Sequence, residues 1–370
     1  MKIALLSFHN AANYGASLQA YSLQRFLLDN GYDCEYINYI NKSRAHEYCM
    51  SWHIYDTLKH GKLKSAVAYL AGSPFLELRK WRFKLFYNKF LKKTVQVYHN
   101  SAEATVLNDQ YDRFIVGSDQ VWNPVCNGYD AAFMLDFVED GRKKVAYSPS
   151  FGMSVIPDEL KETYKKNLSD FYALGVRELI GKELIKDLTG RDATVAIDPV
   201  MLLTKEQWLS LVPEKRRKER YIFSYTNRDS QIADFFQTGY QLSGRKHYIL
   251  SRYTRPMDFI NPTTCVKYCM SPQEFISTIA YADLVVTASF HGVAMSILLS
   301  RPFLAVLTGD TGKDERIINL LTITGLNDRI LTQGLTVDSI NAPIDWKDVN
   351  KRVSDARNES VKYLMKAISE

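Results

Sequence analysis

Short apolar runs alternate with amphipathic stretches from Lys2 to Ile197, and the same rhythm returns from Tyr221 to Leu307. Runs rich in β-branched and aromatic residues predict strands over Lys2–Phe8, Cys34–Ile40, Arg113–Gly117, Lys144–Ser148, Ala173–Val176 and Thr194–Ile197. A second series follows at Tyr221–Thr226, His247–Ser251, Cys265–Tyr268, Leu284–Ala288 and Phe303–Leu307. Between them, 3.6-residue periodicity predicts helices over Tyr14–Asn30, Leu76–Lys93, Lys205–Leu211, Gln231–Gln241, Pro272–Tyr281, Val293–Leu299 and Ile317–Leu321. In the first of these Ala16, Ala20, Leu23 and Leu27 share a face and Gly31 ends the helix. The tail, Asp345–Glu370, reads as a polar helix with apolar positions at Val349, Val353, Val361, Leu364 and Met365, suited to bridging back to the first domain. Alternation of this kind predicts α/β architecture with doubly wound sheets. The mixed-charge run Glu214–Arg220 after Pro213 reads as an exposed linker, and the expected division is 1–200, 201–344 and a bridging helix, 345–370.

Length agrees with that division, since 370 residues exceed one ordinary core. The first eight residues carry too short an apolar run for a signal peptide, and no run of about 18 apolar residues occurs that could span a bilayer. Five cysteines at irregular spacing suit reduced thiols and a cytoplasmic setting; Cys265 and Cys269 have no second pair to complete a metal site. A net charge of +6 fits an anionic substrate or surface, and is too diffuse to suggest nucleic acid. The segment 76–93 is the exception in density. Its stripe of Leu76, Phe83, Phe86, Tyr87 and Phe90, ringed by lysines and arginines, reads either as a core face with a solvated back or as a peripheral contact with an anionic membrane.

Candidate chemistry gathers where strands end, because ligands of open α/β sheets bind at the carboxyl edge. After the strand Leu284–Ala288 comes Ser289-Phe290-His291-Gly292 and a helix: a capping hydroxyl, an imidazole and a close-approach glycine at an anion-friendly helix start, or simply a histidine capping its own turn and a packing glycine. After Arg113–Gly117 comes Ser118-Asp119-Gln120-Val121-Trp122-Asn123-Pro124, where Asp119 could be a general base and Trp122 a sugar-stacking platform, or the whole an Asx turn. Ser148 to Gly152 and Arg177-Glu178 are further polar strand ends. The loop from His9 to Gly15 lacks the glycine spacing of a dinucleotide turn; its amides suit a neutral polyol, or simply shape the turn. No Gly-x-Ser-x-Gly elbow of a serine hydrolase occurs.

Taken in order, Asn13-Tyr14-Gly15-Ala16 with Gln19, Gly117 to Pro124, Tyr147-Ser148 to Gly152, Val176-Arg177-Glu178, Asp198-Pro199, Ser289 to Gly292 and Arg316-Ile317 resemble the polysaccharide pyruvyl transferases over most of the chain. The resemblance implies two Rossmann-like domains facing a cleft, GT-B-like. It also implies transfer of pyruvate from phosphoenolpyruvate onto two sugar hydroxyls as a cyclic ketal, in the building of surface or capsular glycans. No cofactor or metal is implied, phosphoenolpyruvate being a co-substrate. His291 and Asp119 would then act as acid and base. Arg177, Ser289, Gly292, Lys313 and Arg316 would hold the donor. Asn13, Tyr14, Gln19, Ser118, Gln120, Trp122 and Ser150 would hold a sugar acceptor, free or lipid-linked. One departure stands out: many members carry Arg where this chain has Ser289, so donor anchoring must rest elsewhere. A nucleotide-sugar glycosyltransferase and a non-catalytic glycan binder are the competing expectations.

Overall fold

The computed structural model describes all residues except Tyr48, Lys62, 213–218, 227–234, 236–239, 241–243, 252–263 and 333–334. The expected helix at 231–241 and the charged run 214–218 lie almost wholly outside the described residues.

Two parallel sheets carry the fold. The first contains β1 (Lys2–Leu6), β2 (Asp33–Tyr39), β3 (Lys93–Tyr98), β4 (Arg113–Val116), β5 (Lys144–Tyr147), β6 (Ala173–Val176) and β7 (Thr194–Val195), in the order 3-2-1-4-5-6-7. The second contains β8 (Tyr221–Tyr225), β9 (Lys246–Leu250), β10 (Thr264–Lys267), β11 (Leu284–Thr287) and β12 (Phe303–Ala305), in the order 10-9-8-11-12. Strand order reverses between β1 and β4 and again between β8 and β11. The loops after β1, β4 and β11 therefore open at switch points, where crossover helices diverge and leave a crevice. Ile3 pairs with Cys34 on one side and Arg113 on the other, so the central strand is covered on both edges and its Ile3, Leu5 and Leu6 are wholly buried.

β3 is the strand that the apolar pattern does not predict. It lies at the sheet edge with Val95 fully exposed, so no alternation of buried and solvated positions marks it. The aromatic helix is also longer than its stripe suggests, running Leu63–Phe90 and stopping short of Lys93, which opens β3. Helices at Lys42–Glu47 and Met50–Lys59 were not expected. The helix after β11 starts at Phe290, three residues before its apolar run, because Ser289 caps it; Ile317–Leu321 is only the middle of Thr311–Thr324.

One apolar cluster joins Leu5, Tyr14 and Phe83 to Phe275, Val293 and Leu364, so the two sheets share a core. The final helix, Trp346–Ser369, closes over both. It packs on the helix Thr311–Thr324, while its Tyr363 hydroxyl donates to the Ala146 carbonyl at 2.8 Å and Ser360 Oγ accepts from the Ile197 N–H at 3.0 Å. Tyr363 lies so close to β6 that a side chain at Gly175 would overlap its ring.

Candidate active site

The ends of β4, β6, β7 and β11 each deliver a side chain to one point between the sheets. Asp198, after β7, is the hub. Its Oδ2 accepts from Ser118 Oγ at 2.8 Å and from Arg177 Nη1 at 2.8 Å, and lies 3.4 Å from His291 Nε2; its Oδ1 accepts from the Val200 N–H. Burial by itself would raise the Asp198 carboxyl, but the facing His291 ring, Arg177 and the Val200 N–H outweigh it and hold the group well below the ordinary carboxylate range. Arg177 in turn donates from Nε to Glu178 at 2.9 Å and stands 4.9 Å over the Phe290 ring. Burial works against its charge, yet Glu178, Asp198 and Asp119 keep its pKa above the ordinary value.

His291 enters from the second sheet. Ser289 accepts the Gly292 N–H at 3.3 Å, which starts the helix and puts the imidazole in its first turn. The ring lies directly on Gly15, where any Cβ would overlap it, so the glycine in the first turn of the first helix makes room for the second half's histidine. Gly292 is held for another reason: a Cβ there would strike Thr287.

Asp119 and Ser148 end β4 and β5 with φ of 79° and 60°, left-handed values that cost a non-glycine residue about 1–3 kcal/mol. They are held by a bridge between Asp119 and Pro149, by the Ser150 N–H donating to the Asp119 carbonyl at 2.9 Å, and by Ser148 Oγ donating to the Ala196 carbonyl. Burial pushes the Asp119 carboxyl up, while Arg44, His291, Arg177 and the Gln120 N–H together hold it below its ordinary value. It is thus ionised and near the imidazole.

Beside this cluster lies a cavity of about 140 Å³, bounded by Arg177, Asp198, Phe290, Arg316 and, from the last helix, Glu359 and Ser360. Arg177 Nη2, Arg316 Nε and His291 Nε2 are buried and make no hydrogen bond. Arg316 is deprived of solvent and repelled by Arg177, which lowers its pKa. Arginine does not deprotonate in proteins, so two guanidinium groups here present cationic donors without acceptors. An anion in the cavity would supply them.

Several expected contacts are corrected by burial. Trp122 is fully buried, donates Nε1–H to the Phe133 carbonyl at 2.9 Å and packs on Phe151 and Phe171; it is a core residue and cannot stack on a sugar. Tyr14 is likewise buried, stacked on Phe275 at 4.5 Å with its hydroxyl on the Met270 carbonyl at 2.8 Å, joining the two halves and not facing a ligand. Gln19 donates to Ser7 and Ala16 beneath β1 and has no exposed surface. The physical reason is burial in each case: Tyr14 and Gln19 lie on the inward face of the first helix, Tyr14–Asp29, and Trp122 turns inward from the loop after β4. Asn13 caps the first helix, accepting from the Ala16 N–H. Gln120 accepts from Asn123 and Cys126, and Ser150 Oγ from the Gly152 N–H, so both brace the loops of the site. Ser118 bonds Asp198. Lys313 stands in the first turn of Thr311–Thr324, and its side chain lies outside the described residues.

Asp198 was missed as a site residue, although its Asp-Pro pair is part of the motif set. An acidic residue ending the last strand of the sheet was the available signal. Tyr147 was missed too; its buried hydroxyl lacks a partner and is pushed well up by burial and by Asp198. Arg44, on a helix with no amphipathic pattern, left no signal.

Solved structures of similar shape include UDP-N-acetylglucosamine 2-epimerases. A putative one from Listeria monocytogenes is 10% identical with a TM-score of 0.53, over 100% of this chain and 96% of that one. That from Neisseria meningitidis, bound to UDP-GlcNAc, is 11% identical with a TM-score of 0.51, over 99% of this chain and 100% of that one. At such identity the likeness speaks for the fold: two Rossmann-like sheets facing a cleft, as in GT-B proteins. Among curated proteins none matches the chain in sequence. The strand-end residues that meet around Asp198 and His291 all fall between residues 13 and 310, the stretch that matches the family model of polysaccharide pyruvyl transferase, and the chain belongs to that family of transferases.

Proposed function

We propose that this protein transfers pyruvate from phosphoenolpyruvate to two hydroxyls of one sugar residue, closing a cyclic ketal on a surface polysaccharide or its precursor. The observation that carries the reading is the two buried guanidinium nitrogens without an acceptor, Arg177 Nη2 and Arg316 Nε, beside a cavity, with His291 adjacent. Phosphoenolpyruvate brings a carboxylate and a phosphate, and two guanidinium groups suit such a pair of anions. They also answer the departure at Ser289: cations from the first sheet's edge and from the helix Thr311–Thr324 take the place of a missing arginine.

Protonation of the donor's methylene carbon makes its central carbon cation-like, and one sugar hydroxyl adds there as it loses its proton. The second hydroxyl then attacks the same carbon, the bond to phosphate oxygen breaks, and phosphate leaves with the electron pair. One proton is gained at carbon and two are lost from the hydroxyls, the surplus leaving with phosphate or buffer. His291, steadied by Asp198, serves as acid or phosphate partner in this reading, and ionised Asp119 as base, its lowered pKa keeping it ready at the expense of basic strength. Lys313 is a further donor contact, and Ser289 and Gly292 offer the helix start. The sugar sits over the Ser118–Gln120 and Ser150 loops, with Asn13 at its edge. No further cofactor is required, and the setting is the cytoplasm, where phosphoenolpyruvate and glycan precursors meet.

The test is release of phosphate from phosphoenolpyruvate with a panel of galactose, glucose and mannosamine glycosides, with the ketal identified by mass. His291→Ala should lower the rate by about 10²–10⁴-fold. Turnover of a nucleotide sugar with phosphoenolpyruvate inert would assign the site to glycosyl transfer. Full biological activity of His291→Ala would leave only a binding role.

A further inference from the structure

The long helix Leu63–Phe90 is apolar on two opposite sides. Phe83, Phe86 and Tyr87 are buried in the shared core. On the outer side Leu63, Val67, Leu70, Leu78, Trp81 and Leu85 are all exposed, Leu63 by 66% and Trp81 by 56%. With Pro74 filling the gap, their spacing of 4, 3, 4, 4, 3 and 4 residues runs straight along one face. The preceding helix, Met50–Lys59, packs against this one and adds exposed Tyr55 and Leu58. So long an apolar stripe in water calls for a cover.

Charge chooses the cover. The segment 50–93 holds ten basic and two acidic residues, a net +8, while the whole chain is only +6. A second copy would set two such segments against each other. An anionic bilayer offers an apolar layer and opposite charge together, and lysines around the stripe can reach its headgroups. Among the described residues no helix is long and apolar enough to cross a membrane, so the contact is with a surface. We propose that the helical pair 50–90 docks this protein on an anionic lipid surface, its outer stripe entering the interface. Next to it opens a cavity of about 450 Å³ lined by Arg44, Lys80, Lys84 and Lys93 and by no carboxylate. Two of those lysines come from the docking helix itself, so docking carries a cationic pocket to the level of the lipid phosphates.

The test is co-sedimentation of the full chain with phosphatidylcholine vesicles, with and without phosphatidylglycerol, at low and high salt. Binding should need the anionic lipid, weaken with salt, and fall at least about a hundred-fold in Trp81→Glu/Leu85→Glu, since each buried apolar side chain is worth more than ten-fold. Lys84→Gln/Lys89→Gln should lose only the salt-sensitive part. The proposal is overturned if the intact protein ignores anionic vesicles, if the double glutamate variant binds as well as the parent, or if light scattering shows a dimer that this variant dissociates. Phosphate release from phosphoenolpyruvate with a free sugar should be the same in parent and variants, which separates failure of docking from failure of the proposed reaction.

Discussion

Gly15 and His291 belong to different sheets and meet with no space between them. The start of the first helix can approach because residue 15 has no Cβ, and the imidazole is thereby held facing Asp198. Gly15→Ala should leave the first helix intact, as alanine is the better helix former by about 1 kcal/mol. It must, however, displace the ring. The expected outcome is a rate loss approaching that of His291→Ala with a lowered melting temperature, since overpacking a buried ring costs about 1–3 kcal/mol; an active Gly15→Ala enzyme would show that the imidazole's present position is not the working one. The same scale explains why burial decided so many roles. Ser118 and Trp122 stand four residues apart on one polar loop, yet one bonds the hub carboxylate and the other fills the core. Composition marks such a loop as interesting without saying which way each side chain turns.

Elements here owe their ends to local chemistry that is legible in the chain. Asn13, Ser271 and Ser289 each accept the N–H three residues on, and the helices begin where they stand. The helix of His291 ends less comfortably. Its N–H groups at Ser300 and Arg301 turn back to the Ile297 and Ser296 carbonyls, a closing turn that needs a left-handed residue, and Ser300 supplies it at φ 52°. Ser300→Gly should therefore raise stability by roughly 0.5–1 kcal/mol, read as a shift in the urea midpoint at constant slope. A drop would mean that the serine side chain contributes more than its backbone costs. Edge strand β3 shows the opposite situation: nothing local announces it, and only pairing with β2 makes it a strand.

At the scale of the molecule, buried ionisable groups set the response to acid. Burial pushes His9 down to about 3 and His247 to about 4 from an ordinary 6.5, so both stay neutral in the folded chain. Below pH 6.5 the unfolded chain takes up protons that the folded one refuses, and stability must fall as pH drops toward those folded values. Asp198 and Asp119 act in a lower window: their depressed values stabilise the fold above the ordinary carboxylate pKa, and that contribution is lost as pH falls below about 4. Urea midpoints should decline by the equivalent of a few kcal/mol between about pH 7 and 4, the histidines first. A flat profile down to about pH 5 would contradict the neutral burial of His9 and His247.

Apolar alternation, capping residues and turn glycines were enough to predict an α/β chain with strands in nearly their observed places, because periodicity and caps act over a few neighbours. The ordered motifs likewise carried the family, and they named the strand ends that converge. What the residues could not express was which of those side chains would face each other. Asp198 became the hub only when β7 lay beside β6 and the helix of His291 crossed from the second sheet. Trp122 and Tyr14 passed from ligand candidates to core because packing of large rings is settled by neighbours far along the chain. Burial, the pairing of charges and the meeting of two sheets depend on contacts between residues distant in sequence, from Arg177 with Asp198 to Gly15 with His291, and those exist only in the folded molecule.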